Sequence, residues 1–252
     1  AHGGIIPSYG IGHSEAQWFV RGVPNVKKAF AKVWETDDLL TSFDGVSLWR
    51  PWNIDPSWKT QSGQAWFHID QHPISKPGKQ CIQGLINLLP TSKEIGGNVV
   101  IPKSHNFFKD IPDEYKERVE RLPLDIDHFR FPHDDPKLSS EPAVMAHMEP
   151  GDMLLWDSRT IHCSSSGTSL PEGTNDLIRA ASLICMMPKE LSSKEILEKR
   201  IHAAENLVST TNWTNDFRNA DEFPVILEAE NRDQYKWPKK PNLSDYQKEL
   251  IA

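Results

Sequence analysis

Short runs rich in β-branched and aromatic residues, each closed by Gly, Pro, Asn or Asp, predict a mainly β fold, a jelly-roll barrel with α-helices packed around it. Two further observations support this class. Apart from one piece around 113–121, helical periodicity falls at the two ends of the chain, and 252 residues is a common length for one all-β barrel. The expected organisation is a single domain over 1–252, with a helical N-terminal region (1–45), a barrel core (46–190) interrupted by an insertion (103–142), and a helical C-terminal region (191–252).

Taken in order, Ser14 and Gln17 have the spacing of a capping box and open a short helix through Val20. Pro24 suits a first helical position, and apolar residues recur at helical spacing from Val26 to Trp34, while Asp37 and Asp38 begin a third turn. The first strand runs over 46–50, before a loop carrying Pro51, Asn53, Asp55 and Pro56. Strands follow at 64–70, 80–89 and 98–101, with Gly96 and Gly97 as a separator. Prolines and charges then interrupt the pattern over 103–142, apart from one helical piece around 113–121, and an insertion of this kind often covers an active site. Strands return at 143–148, 152–156, 160–163 and 178–187. Ser192 and Glu195 cap a helix through Asn206 with Ile196, Leu197 and Ile201 on one side, and a polar tail begins at Asn231.

Net charge is −7, from 35 acidic and 28 basic residues, and no basic cluster exceeds a pair. The expected partner is therefore a small-molecule substrate, with no nucleic acid and no membrane. The cysteines Cys81, Cys163 and Cys185 sit in strand-like or apolar sequence, which predicts free thiols in a reducing, intracellular and cytoplasmic setting.

The strand ending Trp66-Phe67-His68-Ile69-Asp70 carries the chemistry. Side chains alternate faces along a strand, so His68 and Asp70 project together, with Trp66 on their face, while Phe67 and Ile69 turn to the other. His162 supplies a third candidate ligand. Two imidazoles and one carboxylate form the donor set of non-haem Fe(II) oxygenases, which leaves coordination positions open. Arg179 opens an apolar strand, where a guanidinium has little use unless it holds a carboxylate with two parallel hydrogen bonds. The same residues also fit a jelly-roll binding module without catalysis, or a zinc hydrolase using His68, Asp70 and His162, which would have no need of Arg179.

The ordered set His68-x-Asp70, then Gly97-Asn98-Val99-Val100-Ile101-Pro102-Lys103-Ser104-His105, then Gly151-Asp152-Met153-Leu154-Leu155-Trp156-Asp157-Ser158-Arg159-Thr160-Ile161-His162, then Arg179, resembles the phytanoyl-CoA dioxygenase family of Fe(II)- and 2-oxoglutarate-dependent oxygenases. The resemblance covers about residues 45 to 190 and implies a double-stranded β-helix using Fe(II), 2-oxoglutarate and O2. By that resemblance His68, Asp70 and His162 bind the metal, and Arg179, with Ser164 and Gln83, binds 2-oxoglutarate. It also implies oxidation of an unactivated C–H bond, with a carboxylate at Asp70 standing where halogenating relatives have a small residue. Where the family usually has Gly, this chain has Lys103, and its segment 163–178 is longer than in most members.

Trp66 is expected to line the substrate pocket, joined at its mouth by Trp49, Arg50 and Asn53 if strand 46–50 neighbours strand 64–70. His72, just before Pro73, is expected at the rim, His105 in a structural hydrogen bond, His147 on the surface, and Cys163 as a buried inert thiol on the face opposite His162.

Overall fold

The protein is described here from a computed structural model covering residues 4–60, 66–222 and 236–252. The chain divides into two compact units, one built mainly from Trp49–Ile82 and Asn87–Arg179, the other from Ile5–Leu48, Gln83–Ile86 and Ala180–Ala252. Mainly β structure is what the chain adopts, with eleven strands in two sheets among the described residues. None of the described helices is long and apolar enough to cross a membrane.

In the first unit the sheet runs β7 (His128–Arg130), β4 (His68–Asp70), β10 (His162–Ser166), β6 (Gly96–Val100), β8 (Val144–Met145), all antiparallel. One face of this sheet builds a core from Phe67, Ile69, Val99, Phe129, Ile161 and Cys163, joined by Phe108, Ile111 and Val119 from the segment after β6. Phe67 and Ile69 do turn away from His68, as period-2 alternation requires. The glycines expected to separate two strands lie inside β6, paired with Ser166 and Ser165. A Cβ on Gly96, whose φ is +98°, would meet the Ser165 carbonyl oxygen at 2.2 Å, so β10 approaches a position that tolerates only glycine.

The segment 103–142 is more than a cover. It carries α3 (Ile111–Glu114) and α4 (Lys116–Glu120), and then strand β7, which pairs with β4 so that Asp70 faces His128. Lys103, at the family's glycine position, has φ 63° and ψ −1°, the left-handed region that favours glycine, and caps the 3-10 helix Ser104–Asp110.

The second unit holds β1 (Ile5–Ile6), β2 (Leu39–Thr41) and most of β3 (Val46–Trp49), β5 (Ile82–Asn87) and β11 (Arg179–Pro188), in the order β1-β3-β11-β5 with β2 also on β11. The turn expected at Asp37 leads at once into β2, whose residues are buried. Helix α1 (Glu15–Arg21) is capped by Ser14, which accepts from the Gln17 amide. Only half of the capping box forms, because the Gln17 side chain instead donates to the carbonyls of Asp44 and Gly45. Helix α2 (Pro24–Trp34) has Pro24 in its first turn and buries Val26 and Phe30.

Helix α5 (Lys194–Asn206) is capped by Ser193 rather than Ser192, and its fully buried residues are Arg200 and Ala203, while Ile201 is exposed. The expected start of the polar tail at Asn231 lies outside the described residues. Beyond it, Ser244 and Gln247 form a complete capping box on α6 (Asp245–Glu249). Strand β9 (Met153–Asp157) belongs to the first unit.

Candidate metal centre

Strand β4 presents His68 and Asp70 on one face, and β10 places His162 directly across from His68. His68 Nε2 lies 3.6 Å from Asp70 Oδ1, and His162 Nε2 lies 3.3 Å from Asp70 Oδ2. The three residues named from the sequence are thus brought together. Both histidines are almost wholly buried, whereas the Asp70 side chain keeps 26 % of its surface exposed, which leaves the cluster one open side.

The backbone decides which nitrogen each imidazole offers. His68 Nδ1 sits 2.8 Å from the Trp66 carbonyl oxygen, and His162 Nδ1 sits 2.9 Å from that of Thr160. A carbonyl only accepts, so each Nδ1 carries the proton and each Nε2 presents a lone pair. Burial pushes the His68 imidazole down to about 4 despite the pull of Asp70, so it is neutral at pH 7. Desolvation works to raise the Asp70 carboxyl, but the surrounding imidazoles, His68 foremost, outweigh it and hold the group well below the usual carboxylate range.

Two imidazole lone pairs and a carboxylate therefore converge at 3.3–3.6 Å, an arrangement of acceptors that a cation between them resolves. The N, N, O donor set fits Fe(II).

A third imidazole was not foreseen from the sequence. His128 Nδ1 lies 3.4 Å from Asp70 Oδ1, its ring centroid 4.4 Å from that of His68, and His68, Asp70 and His128 each offer a ligand atom within 4.8 Å of the others. Its only sequence signal was a three-residue run, His128-Phe129-Arg130, inside a segment without strand periodicity.

Arg179 is 2 % exposed, and its guanidinium lies over the Trp49 ring, 4.5 Å from the centroid. Among the described residues its Nε and Nη1 are buried without a hydrogen-bond partner, while burial lowers the group to about 10, so it remains cationic at pH 7. A buried cation with empty donors is costly unless an anion completes it, and a carboxylate matches its fork. Arg159, the other arginine near the His162 motif, is not free for that task, since its Nε and Nη2 bind Asp157 at 2.8 and 2.6 Å.

Trp66 stacks on His68 with centroids 4.9 Å apart and donates its Nε1–H to the Ser164 carbonyl at 2.9 Å. Ser164 lies across from Asn98, and alternation puts both side chains on the face of His162. Asn98 and Trp156, to which sequence reasoning gave no role, lie beside this cluster: among the described residues Asn98 Oδ1 is buried without a partner, and the Trp156 ring lies 5.4 Å from that of His162 with its own Nε1 unpartnered. Gln83 is buried in β5, within the second unit.

Other expectations need correcting. Strand β3 pairs with β1, whereas β4 pairs with β7 and β10, so the neighbouring that placed 46–50 beside 64–70 does not occur. Trp49 is buried beneath Arg179, Arg50 lies over the Trp58 ring at 4.1 Å, and exposed Asn53 donates to the Thr174 carbonyl at 2.9 Å. His72 is fully buried rather than at a rim, because its Nδ1 accepts from the amides of Ile74 and Ser75 and closes the turn. His147 is exposed as expected. Cys163 is buried, and burial pushes its thiol up to about 12.

The sequence profile of the phytanoyl-CoA dioxygenase family matches residues 45–170. Ava biosynthesis cluster protein O of Aspergillus versicolor is 34% identical over 211 residues, covering 81% of this chain, and a putative phytanoyl-CoA dioxygenase of Dictyostelium discoideum is 22% identical over 225 residues, covering 77%. The chain spans 64% and 60% of the lengths of these two relatives. Among solved structures, the non-heme alpha ketoglutarate dependent epimerase SnoN from nogalamycin biosynthesis aligns with a TM-score of 0.40 and 15% identity, over 69% of this chain and 59% of its own. With its profile match spanning half of the sequence and its His-x-Asp strand facing His162, the chain belongs to the phytanoyl-CoA dioxygenase family.

Proposed function

We propose that the chain is an Fe(II)- and 2-oxoglutarate-dependent dioxygenase that oxidises an unactivated C–H bond of a small molecule, in the manner of a hydroxylase. The observation that carries this reading is Arg179, a buried guanidinium with two empty donors in the same unit as the His68, Asp70 and His162 cluster. A zinc hydrolase built on that cluster has no use for it.

In this reading His68 and His162 hold the iron through Nε2, and Asp70 holds it through its carboxylate. Arg179 takes the distal carboxylate of 2-oxoglutarate in a two-pronged hydrogen bond, with Ser164 of the same unit as a further contact. When bound, iron, 2-oxoglutarate and O2 together supply the oxidant, with succinate and CO2 as co-products. Trp66 and Trp156, flanking His68 and His162, fix the imidazoles and keep water from them. Asp70 occupies the position that a halide would need, which favours oxygen insertion or oxidation over halogen transfer. The net charge of −7 disfavours a polyanionic thioester as substrate.

The test is O2-dependent succinate release by the full chain with Fe(II) and 2-oxoglutarate across a metabolite panel. The expected outcome is release by the unaltered protein and loss of both iron and turnover in His162→Ala. An iron-loaded chain that never releases succinate, or zinc-supported turnover without O2, would overturn the reading.

A further inference from the structure

Of the three imidazoles around Asp70 among the described residues, two turn a lone pair toward it and one turns its lone pair away. His128 Nε2 lies 3.1 Å from Arg130 Nε, which can only donate. His128 Nε2 is therefore the accepting nitrogen, and Nδ1, the atom 3.4 Å from Asp70 Oδ1, is the one that donates. This is the reverse of His68 and His162, whose Nδ1–H groups are spent on backbone carbonyls.

We infer that His128 is a positioning residue of the metal centre and not a ligand: Arg130 fixes its tautomer, and its Nδ1–H holds Asp70 Oδ1 while Oδ2 stays toward His162. The strand register supports the pairing, because β7 sets His128 directly opposite Asp70, so the contact is built into the sheet and does not depend on a loop. Proximity alone would count His128 with His68 and Asp70 as a ligand set. A nitrogen that carries a hydrogen toward the carboxylate has no lone pair left for a metal, and this separates orientation from ligation. A carboxylate restrained at one oxygen offers the other in a fixed direction, which lowers the ordering cost of metal binding.

The inference rests on the metal-site reading above, and the experiment separates the two. Co(II) is titrated into the full chain, and both the dissociation constant and the visible ligand-field spectrum are read for the unaltered protein, His128→Asn and His128→Gln. An Asn side chain can place an N–H near the position of Nδ1, whereas a Gln reaches toward that of Nε2. The expected result is a loss of affinity of about 10- to 100-fold in His128→Gln, most of it recovered in His128→Asn, with the spectrum of the bound ion unchanged in all three. Equal affinities throughout, or a spectral change in both variants that signals a lost nitrogen ligand, would overturn the positioning role and leave the triad standing. Failure of the unaltered chain to bind Co(II) would instead overturn the triad itself, and the inference with it. Far-ultraviolet circular dichroism confirms that each variant is folded before the titration.

Discussion

Both units bury arginines over aromatic rings, Arg179 in the first and Arg21 and Arg200 in the second, and Arg179 and Arg200 differ most in what surrounds their N–H groups. In the second unit Arg200 lies over Phe43 at 4.7 Å, and every nitrogen of its fork is used: Nε donates to the Ile251 carbonyl, Nη1 to that of Thr214, and Nη2 to those of Thr41 and Leu250. In the first unit Arg179 lies over Trp49 at 4.5 Å, and among the described residues nothing uses its Nε and Nη1. Burial lowers both, to about 9 and about 10, so desolvation is of the same kind in each place. Arg200 ties α5 and the C-terminal residues to β2, and its satisfied donors mark it as structural. Arg179 has the desolvation without the bonds, which is the signature of a group waiting for a ligand.

The largest expected effect falls on Arg200. Arg200→Met keeps the apolar contact with Phe43 but strands carbonyls in a buried setting, and should lower unfolding stability by about 3–5 kcal/mol. Urea denaturation measures this, and a loss below about 1 kcal/mol would erase the contrast between the two arginines.

The matching change in the first unit should behave in the opposite way. Arg179→Met removes an uncompensated buried charge, so stability should stay within about 1 kcal/mol of the unaltered protein. Arg179→Lys keeps the charge and loses the fork, so the KM for 2-oxoglutarate should rise about 10- to 100-fold, from the loss of charge-assisted hydrogen bonds, while iron still binds. Initial rates at varied 2-oxoglutarate check this, and an unchanged KM would show that Arg179 does not hold the cosubstrate.

These two arginines also show what a sequence can reveal. Arg179 was singled out because a charge opening an apolar strand is a local anomaly, and His68 with Asp70 because period-2 alternation is a local rule. His162 followed from the motif around it. Strand pairing is not local: the order β7-β4-β10 sets His128 at the site and leaves β3, with Trp49, unpaired with β4, and no pattern within either segment encodes that order. Arg200 reads in sequence as one more polar residue on a helix, because its partners are carbonyls from three distant stretches. The cap of α5 was misplaced by one residue because Ser192 and Ser193 both suit the role, and only the backbone chooses between them.

Acid should find the second unit first at His13, which sits near Arg21 and Arg200. Burial foremost, then the charge of Arg21, pushes its imidazole from 6.5 down to about 3, while its Nε2 lies 2.9 Å from the Val208 carbonyl. The folded form thus resists a proton that the unfolded chain accepts, so this contribution is whole above pH 6.5 and is lost as pH falls toward 3. By that linkage the loss is about 2 kcal/mol at pH 5. His13→Gln should flatten the stability profile between pH 6.5 and 4, and an unaltered slope in that variant would assign the acid sensitivity elsewhere.

The smallest effect concerns the ring beneath Arg179. Trp binds a cation on its face better than Phe does, so Trp49→Phe gives the first unit the same kind of stack that Arg200 has on Phe43. The weaker contact, worth about 0.5–1 kcal/mol, should let the guanidinium wander and raise the KM for 2-oxoglutarate about two- to fivefold with kcat unchanged. The sequence alone had placed Trp49 at the mouth of the substrate pocket, and the two roles part company in this variant. A wall of that pocket would leave 2-oxoglutarate binding alone and change the ratio of succinate to oxidised product, because the reacting carbon would no longer be held in place. A ring that supports Arg179 should leave that ratio as it is and move only the 2-oxoglutarate KM, so measuring both in one variant decides which face of Trp49 matters.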